Sequence, residues 1–282
     1  MAECKTSPEV GGMGHSVKRK EDPRFIRGQG NYVDDVVRPG MVFMDIVRSP
    51  YAHAKIKSIN TEKALAHPGV AAVITGETLK EYNLHMMPTL MSDTQMVLPI
   101  EKVCYQSQEV AAVVATDRYS AADGVELVEV EYEPLPVVVD PHKATDPDAP
   151  IIRDDKEGQE NNHIFHWEAG DKSGTDEIFQ NADVTVNKDI YLPRIHVASI
   201  ETCGCVSEFD SVTGQLTVWM TTQAPHAIRT VLALVAGHVG LQEDKIRIIA
   251  PDIGGGFGGK VPVYPGYVIA IAASVVTGLP IK

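Results

Sequence analysis

Cysteine is scarce: Cys4, Cys104, Cys203 and Cys205 are the four in a chain of 282 residues, and none form a Cys-x-x-Cys pair. That is too few for a disulfide-stapled scaffold, so a reduced, cytoplasmic setting is the default expectation. Long apolar runs are also missing. The strongest, Tyr267 to Val276, is about half of the roughly 20 residues a spanning helix needs, and the residues before Lys18 contain no apolar region of the kind a secretory signal carries. Basic residues are outnumbered, 25 Lys+Arg against 38 Asp+Glu, for a formal net charge of −13. That balance argues against a nucleic-acid backbone as the main partner. The composition that remains, 44% hydrophobic and 22% charged, is that of an ordinary globular protein, and the length suits two domains.

Residues 1–26 read as a loose, solvated arm with a basic cluster at Lys18, Arg19 and Lys20. From Arg27 short strand-like runs begin: Val42 to Val47, Val70 to Ile74, Val110 to Ala115 and Glu126 to Tyr132. In the last, Val128, Val130 and Tyr132 alternate with Glu129, Glu131 and Glu133, which predicts one buried and one wetted face. Helices are predicted from Thr61 to Ala66 and from Asp117 to Leu127, with Thr61 and Asp117 as N-caps. Mixed strands and helices make 27–140 one α/β domain. Residues 141–162 then read as an extended, solvated linker. From Asp123 to Glu160 there are twelve acids and three bases, a net of −9, with Pro141, Pro147 and Pro150 among them.

A second domain is expected over 163–282. Strands are predicted at Val184 to Tyr191, Cys205 to Asp210, Leu216 to Met220 and Lys245 to Ala250, with a hairpin turn at Ser211 to Gly214. Helical spacing of Ile228, Val231, Leu232 and Val235 places a helix over 224–237, stopped by Gly237, and another helix follows over 266–277. The last residues, Gly278 to Lys282, look like a turn and the first step of a strand. Such a strand needs a partner, so the sequence reads as a piece of a longer polypeptide.

The chemistry concentrates at Asp252 to Lys260, where five of the six residues 254–259 are glycine. Glycine loses the most conformational freedom on folding, so this density points to positive φ angles or to backbone lying against a ligand. Successive exposed N–H groups would form a concavity for anionic oxygens. Two familiar phosphate patterns almost fit. Gly254, Gly259 and Lys260 match G-x-x-x-x-G-K, but Val261 stands where a Ser or Thr should hold Mg²⁺. Gly254, Gly256 and Gly259 match G-x-G-x-x-G. However, Pro262 and Pro265 prevent a helix from opening there, and no acid follows to hold a ribose. Gln223 sits between a strand and a helix, where its carboxamide could share a crevice with this loop; an exposed loop glutamine is the plainer reading. Cys203, Cys205 and His196 invite a metal, but Cys-x-Cys spacing is poor for tetrahedral zinc, and packed thiols with surface histidines explain them. His163 and His166 add no regular pattern.

Gln223-Ala224-Pro225-His226 and Pro251-Asp252-Ile253-Gly254-Gly255-Gly256-Phe257-Gly258 together resemble the molybdenum-cofactor chain of the xanthine dehydrogenase/aldehyde oxidase family. Lys18 to Phe25, Gly28 to Asp35, Leu84 to Leu90 and Glu201 to Cys205 carry the resemblance further, from about Gly12 to the last residue. The Leu84 to Leu90 and Glu201 to Cys205 stretches favour the branch that oxidises carbon monoxide. The resemblance implies an α+β chain: an α/β hammerhead domain, then the first part of a molybdopterin-binding domain. It implies molybdopterin cytosine dinucleotide as cofactor and three partners: an FAD-carrying medium subunit, a small subunit with [2Fe–2S] clusters, and a second copy of the large subunit. By position, Gln223 and Phe257 become the candidate catalytic residues. Gln223 would donate to a molybdenum oxo ligand, and Gly255, Gly256, Phe257 and Gly258 would lie against the cofactor. The glutamate near molybdenum and a copper-ligating cysteine would fall beyond Lys282; none of the four cysteines here matches that copper position, and the piece alone would be inactive. A related hydroxylase of an aldehyde or N-heterocycle, a nucleotide-binding protein using the glycine loop alone, and a non-catalytic scaffold remain as alternatives.

Overall fold

The computed structural model describes residues 16–89, 93–156 and 158–282. Most of the N-terminal arm, including Cys4, lies outside the described residues, as does Leu90 of the Leu84 to Leu90 stretch. In chain order come α1 (Asp22–Phe25), β1 (Phe43–Arg48), β2 (Ala54–Asn60), α2 (Glu62–Leu65), β3 (Val70–Thr75), α3 (Gly76–Glu81), β4 (Met86–Pro88), β5 (Thr94–Met96), β6 (Lys102–Val103), β7 (Glu109–Ala115), α4 (Arg118–Leu127) and β8 (Glu129–Pro134). The second half adds α5 (Lys172–Asn181), β9 (Cys205–Asp210), β10 (Gln215–Met220), α6 (Pro225–Ala236), β11 (Ile246–Ile249) and α7 (Pro265–Thr277).

Strand β7 lies between β1 and β3, antiparallel to both, and every one of its residues is buried. Its period-two geometry divides that burial between two cores. Ala111 and Val113 pack with Ala64, Val125 and Val128, under α2 and α4. Ala112 and Val114 belong to the larger core that holds Tyr267 to Ala273 of α7. Gly124 of α4 allows the close approach on the first face, because a Cβ there would stand 2.7 Å from the Val113 side chain. A second sheet, in order β6-β2-β8, buries Ala54, Val103 and Val110 beneath it. On β8 the predicted alternation holds through Tyr132, with Glu129 and Glu131 exposed and Val130 and Tyr132 half-buried, but Glu133 is half-buried rather than wetted. Strand β2 escaped prediction because a bulge between Ile56 and Ser58 breaks its period.

In the second half, β10 pairs antiparallel with β9 and parallel with β11, in the predicted segments. Helix α7 is apolar all round and buried from Tyr267 through Ser274, as a helix with no wetted stripe must be. Gly278 caps it in the left-handed conformation. The step after it finds two partners at once. Ile281 exchanges backbone hydrogen bonds with Ser207, both 2.8 Å, while Val42 donates to Pro280 and Lys282 donates back to Val42, both 2.9 Å. One residue thereby stitches the β9 edge to the chain entering β1.

Two local expectations are corrected and two are refined. Residues 184–191 form no strand: Val184, Val186, Ile190 and Tyr191 are exposed, and no ladder partner meets them among the described residues. Alternation specifies a face, but a strand also needs a neighbour's N–H and C=O groups. The segment 141–162 is not a free extended linker. It bends through a 3₁₀ turn at Pro141–Lys143, Arg153 donates to the Thr94 carbonyl (2.7 Å), and Lys102 pairs with Asp154, tying it to β5 and β6. Thr61 stands at the N-cap of α2 as expected, but its side chain makes no capping bond; Asn60 accepts the Glu62 N–H instead (3.0 Å). Gly237 is the C-cap of α6, as expected, and a 3₁₀ turn then carries the chain on to Val239 before Gly240, at φ +96°.

Candidate functional site

The glycine-rich run leaves the end of β11 and is fixed at both margins. Asp252 accepts a two-pronged ion pair from Arg24 and a 2.8 Å bond from the Asn31 N–H, and donates its own N–H to the Asn31 carbonyl (3.0 Å). The guanidinium and that backbone donor stabilise the carboxylate, holding the Asp252 carboxyl at about 2. At the far margin, the Lys260 ammonium is buried and donates to Glu201 Oε2 (2.8 Å), which also accepts the Gly254 N–H at 2.7 Å.

Each of the five glycines has its own structural reason. A Cβ at Gly254 would fall 2.5 Å from Glu201 Cβ, at Gly256 2.5 Å from Gln223 Cδ, and at Gly259 2.7 Å from Val197 Cγ2. Gly255 and Gly258 adopt φ of +98° and +85°. Phe257 is held at φ +46° without being glycine, and its ring is 72% exposed. A bulky residue in that region is an outlier of the kind that collects at functional sites.

What packing does not explain is the row of unused donors. Among the described residues, the N–H groups of Gly255, Gly256, Phe257 and Gly258 make no hydrogen bond, whereas those of Gly254, Gly259 and Lys260 on either side all do. Gln223 stands beside them. Its N–H donates to the Lys260 carbonyl (2.9 Å) and its Oε1 accepts the Lys260 N–H (3.2 Å). With the carbonyl end engaged, the Nε2 end is left as the free donor. The structure thus brings together Gln223, Gly255, Gly256, Phe257 and Gly258. Four consecutive unpaired amides beside a carboxamide suit an oxygen-rich, anionic ligand.

Beneath Gln223, the Thr221 N–H and the Gly204 carbonyl are 3.0 Å apart, and the Tyr267 hydroxyl donates to the Thr221 carbonyl (3.1 Å), so α7 fixes the end of β10. Burial pushes the Cys205 thiol up to about 12, marking it as an inert core residue, while Cys203 is exposed. His196 and Cys203 both line a cavity of about 790 Å³ between β1 and α7, but among the described residues no three His, Cys, Asp or Glu side chains gather to hold a metal ion. Lys260, Glu201 and Gly259 are among the residues lining that cavity; Gln223 and Gly255 to Gly258 are not. The Glu201–Lys260 pair, 59 residues apart, went unread in the sequence. One signal was present: Lys260 is the lone charged residue between Asp252 and Lys282, and a lone charge in an apolar stretch needs a counter-ion from elsewhere.

Residues 27–136 match the family model for the aldehyde oxidase and xanthine dehydrogenase a/b hammerhead domain, and residues 155–282 match the molybdopterin cofactor-binding domain. The chain is 55% identical, over 97% of its length, to a carbon monoxide dehydrogenase large chain of Hydrogenophaga pseudoflava. It is 58% identical, over 96%, to the large chain of the same name from Afipia carboxidovorans. A crystal structure of a Cu,Mo-CO dehydrogenase in its carbon monoxide reduced state superposes on 96% of the chain with a TM-score of 0.86 at 57% identity. The chain spans about a third of each of these proteins: 35%, 34% and 35% of their lengths.

Proposed function

The chain belongs to the aldehyde oxidase and xanthine dehydrogenase family, and from that premise we propose that it serves in the large subunit of a molybdenum hydroxylase that oxidises carbon monoxide. The observation that carries this reading is the run of four unused amides at Gly255 to Gly258 beside the free Nε2 of Gln223. Molybdopterin cytosine dinucleotide, when bound, supplies the two-electron chemistry by which carbon monoxide and water give carbon dioxide, two protons and two electrons.

The chain's own part is holding and orienting. The four amides would hold the cofactor's oxygens, and the Gln223 carboxamide would donate to an oxygen acceptor at its reacting end. A neutral amide does this without offering a competing acidic proton. Because Oε1 is engaged by the Lys260 N–H, no rotation is needed to present Nε2. Phe257 extends its exposed ring beside the same surface and limits access to it. In the assembled enzyme a [2Fe–2S] small subunit and an FAD medium subunit would take up the electrons, and a second large subunit would complete the assembly. A copper ion in this site would take its ligand from outside the 282 residues.

Metal analysis and turnover of the native holoenzyme test the reading. Stoichiometric molybdenum with carbon monoxide-dependent reduction of an artificial acceptor supports it. Absence of molybdenum, or turnover of aldehydes or N-heterocycles but not carbon monoxide, would overturn it.

A further inference from the structure

Glu201 and Lys260 do more than fill space, and we infer that they form a clamp that closes the ends of the glycine-rich loop and thereby sets which end of the Gln223 carboxamide faces the cofactor. Glu201 Oε2 takes the Gly254 N–H and the Lys260 ammonium together, and the Glu201 N–H donates to the Gly254 carbonyl at 3.3 Å. The loop between Gly254 and Lys260 is therefore a ring tied through one carboxylate. The backbone of Lys260, whose position that tie fixes, makes both bonds to Gln223. Ammonium, carboxylate, loop and carboxamide are one chain of contacts.

A stability role alone explains this poorly. The Lys260 side chain is 1% exposed, and among the described residues its ammonium has one partner while the buried Glu201 Oε1 has none. A buried pair so sparsely satisfied recovers little of its desolvation cost, whereas such pairs do serve to fix register. The spacing supports a register role: glycine at 254 lets the backbone sit directly on Glu201, and glycine at 256 lets it sit on the carboxamide. Glu201 and Lys260 are positioning residues, acting through Gln223 and the amides of 255–258. This inference rests on the cofactor reading given above.

The test uses the native holoenzyme with Glu201→Gln, Lys260→Met, their double variant, Gln223→Ala, and Lys63→Ala as a control in the surface pair with Glu129. Lys260→Met is expected to lower kcat by about tenfold or more, with KM for substrate changed by less than about threefold, and to alter the molybdenum electron-spin signature. In the cofactor-free protein the hydrogen-bonded amides of Gly254, Gly259 and Lys260 are expected to exchange at least about tenfold faster in Lys260→Met than in wild type, and the double variant to be no worse than the worse single one. Glu201→Gln keeps an oxygen for the Gly254 N–H and should fall between wild type and Lys260→Met, which keeps the test decisive if Lys260→Met fails to fold. Wild-type kcat, spin signature and exchange in both variants would overturn the clamp. If Gln223→Ala also leaves turnover and spin signature unchanged in loaded enzyme, the cofactor reading itself fails; if Gln223→Ala alone is impaired, only the clamp does.

Discussion

Two turns in the second half of the molecule make opposite use of glycine. The β9–β10 turn spends one, Gly214 at φ +68°, and satisfies itself. Asp210 accepts the Val212 N–H at 2.9 Å and the Thr213 hydroxyl at 2.8 Å, and its carbonyl takes the Gly214 N–H at 2.8 Å. The loop at 254–259 holds five glycines, keeps a phenylalanine at positive φ, and leaves four consecutive N–H groups unused. Its shape is imposed from outside by Arg24, Asn31, Glu201 and Gln223. A turn that only reverses the chain closes its own hydrogen bonds. One that keeps its donors open while four outside residues hold it in place has the form the proposed cofactor site requires.

Removing the side-chain donor should break the comparison most. Gln223→Ala is expected to lower kcat of the native holoenzyme by about 100-fold, the scale on which a single preorganised donor acts, with the fold intact by circular dichroism. Gly256→Ala comes next. Its methyl would lie 2.5 Å from Gln223 Cδ and must displace the carboxamide, so molybdenum content is expected to fall by roughly tenfold while the melting temperature stays within a few degrees. The margin at Asp252 gives a pH-dependent effect. Its carboxyl sits at about 2 against an ordinary 3.8, so the Arg24 pair contributes fully above the ordinary value and is lost as pH falls from there toward the lower one. The gap in thermal stability between wild type and Arg24→Gln should accordingly be constant near neutrality and shrink steadily over that acid window. The smallest effect belongs to the other turn: Gly214→Ala should cost about 1 kcal/mol in a denaturant titration and leave cofactor content and turnover unchanged.

Much of this architecture was legible because it is local. The β9–β10 hairpin, the all-round apolar α7, and the Asp117 cap, whose side chain accepts the Tyr119 and Ser120 N–H groups, each follow from residues within a few positions of one another. The glycine run points to a site and its resemblance to a cofactor, yet the glycine count is a matter of close packing and φ; the proposed ligand role rests on the unused amides, which depend on the three-dimensional fold. Reading failed where a partner decided the outcome. Residues 184–191 alternate like a strand but meet no ladder among the described residues. The acidic, proline-bearing 141–162 looked free until Lys102, Thr94 and Arg153 tied it down. Glu201 and Lys260 belong to the same class of long-range fact.

Hydrogen exchange resolved to single amides, on native holoenzyme with and without its molybdenum cofactor, tests the central claim most directly. Exchange at Gly255, Gly256, Phe257 and Gly258 is expected to slow by at least about tenfold when the cofactor is present, while Val212, Thr213 and Gly214 do not change. Equal exchange at 255–258 in the two states, with protection appearing elsewhere in the chain, would contradict it.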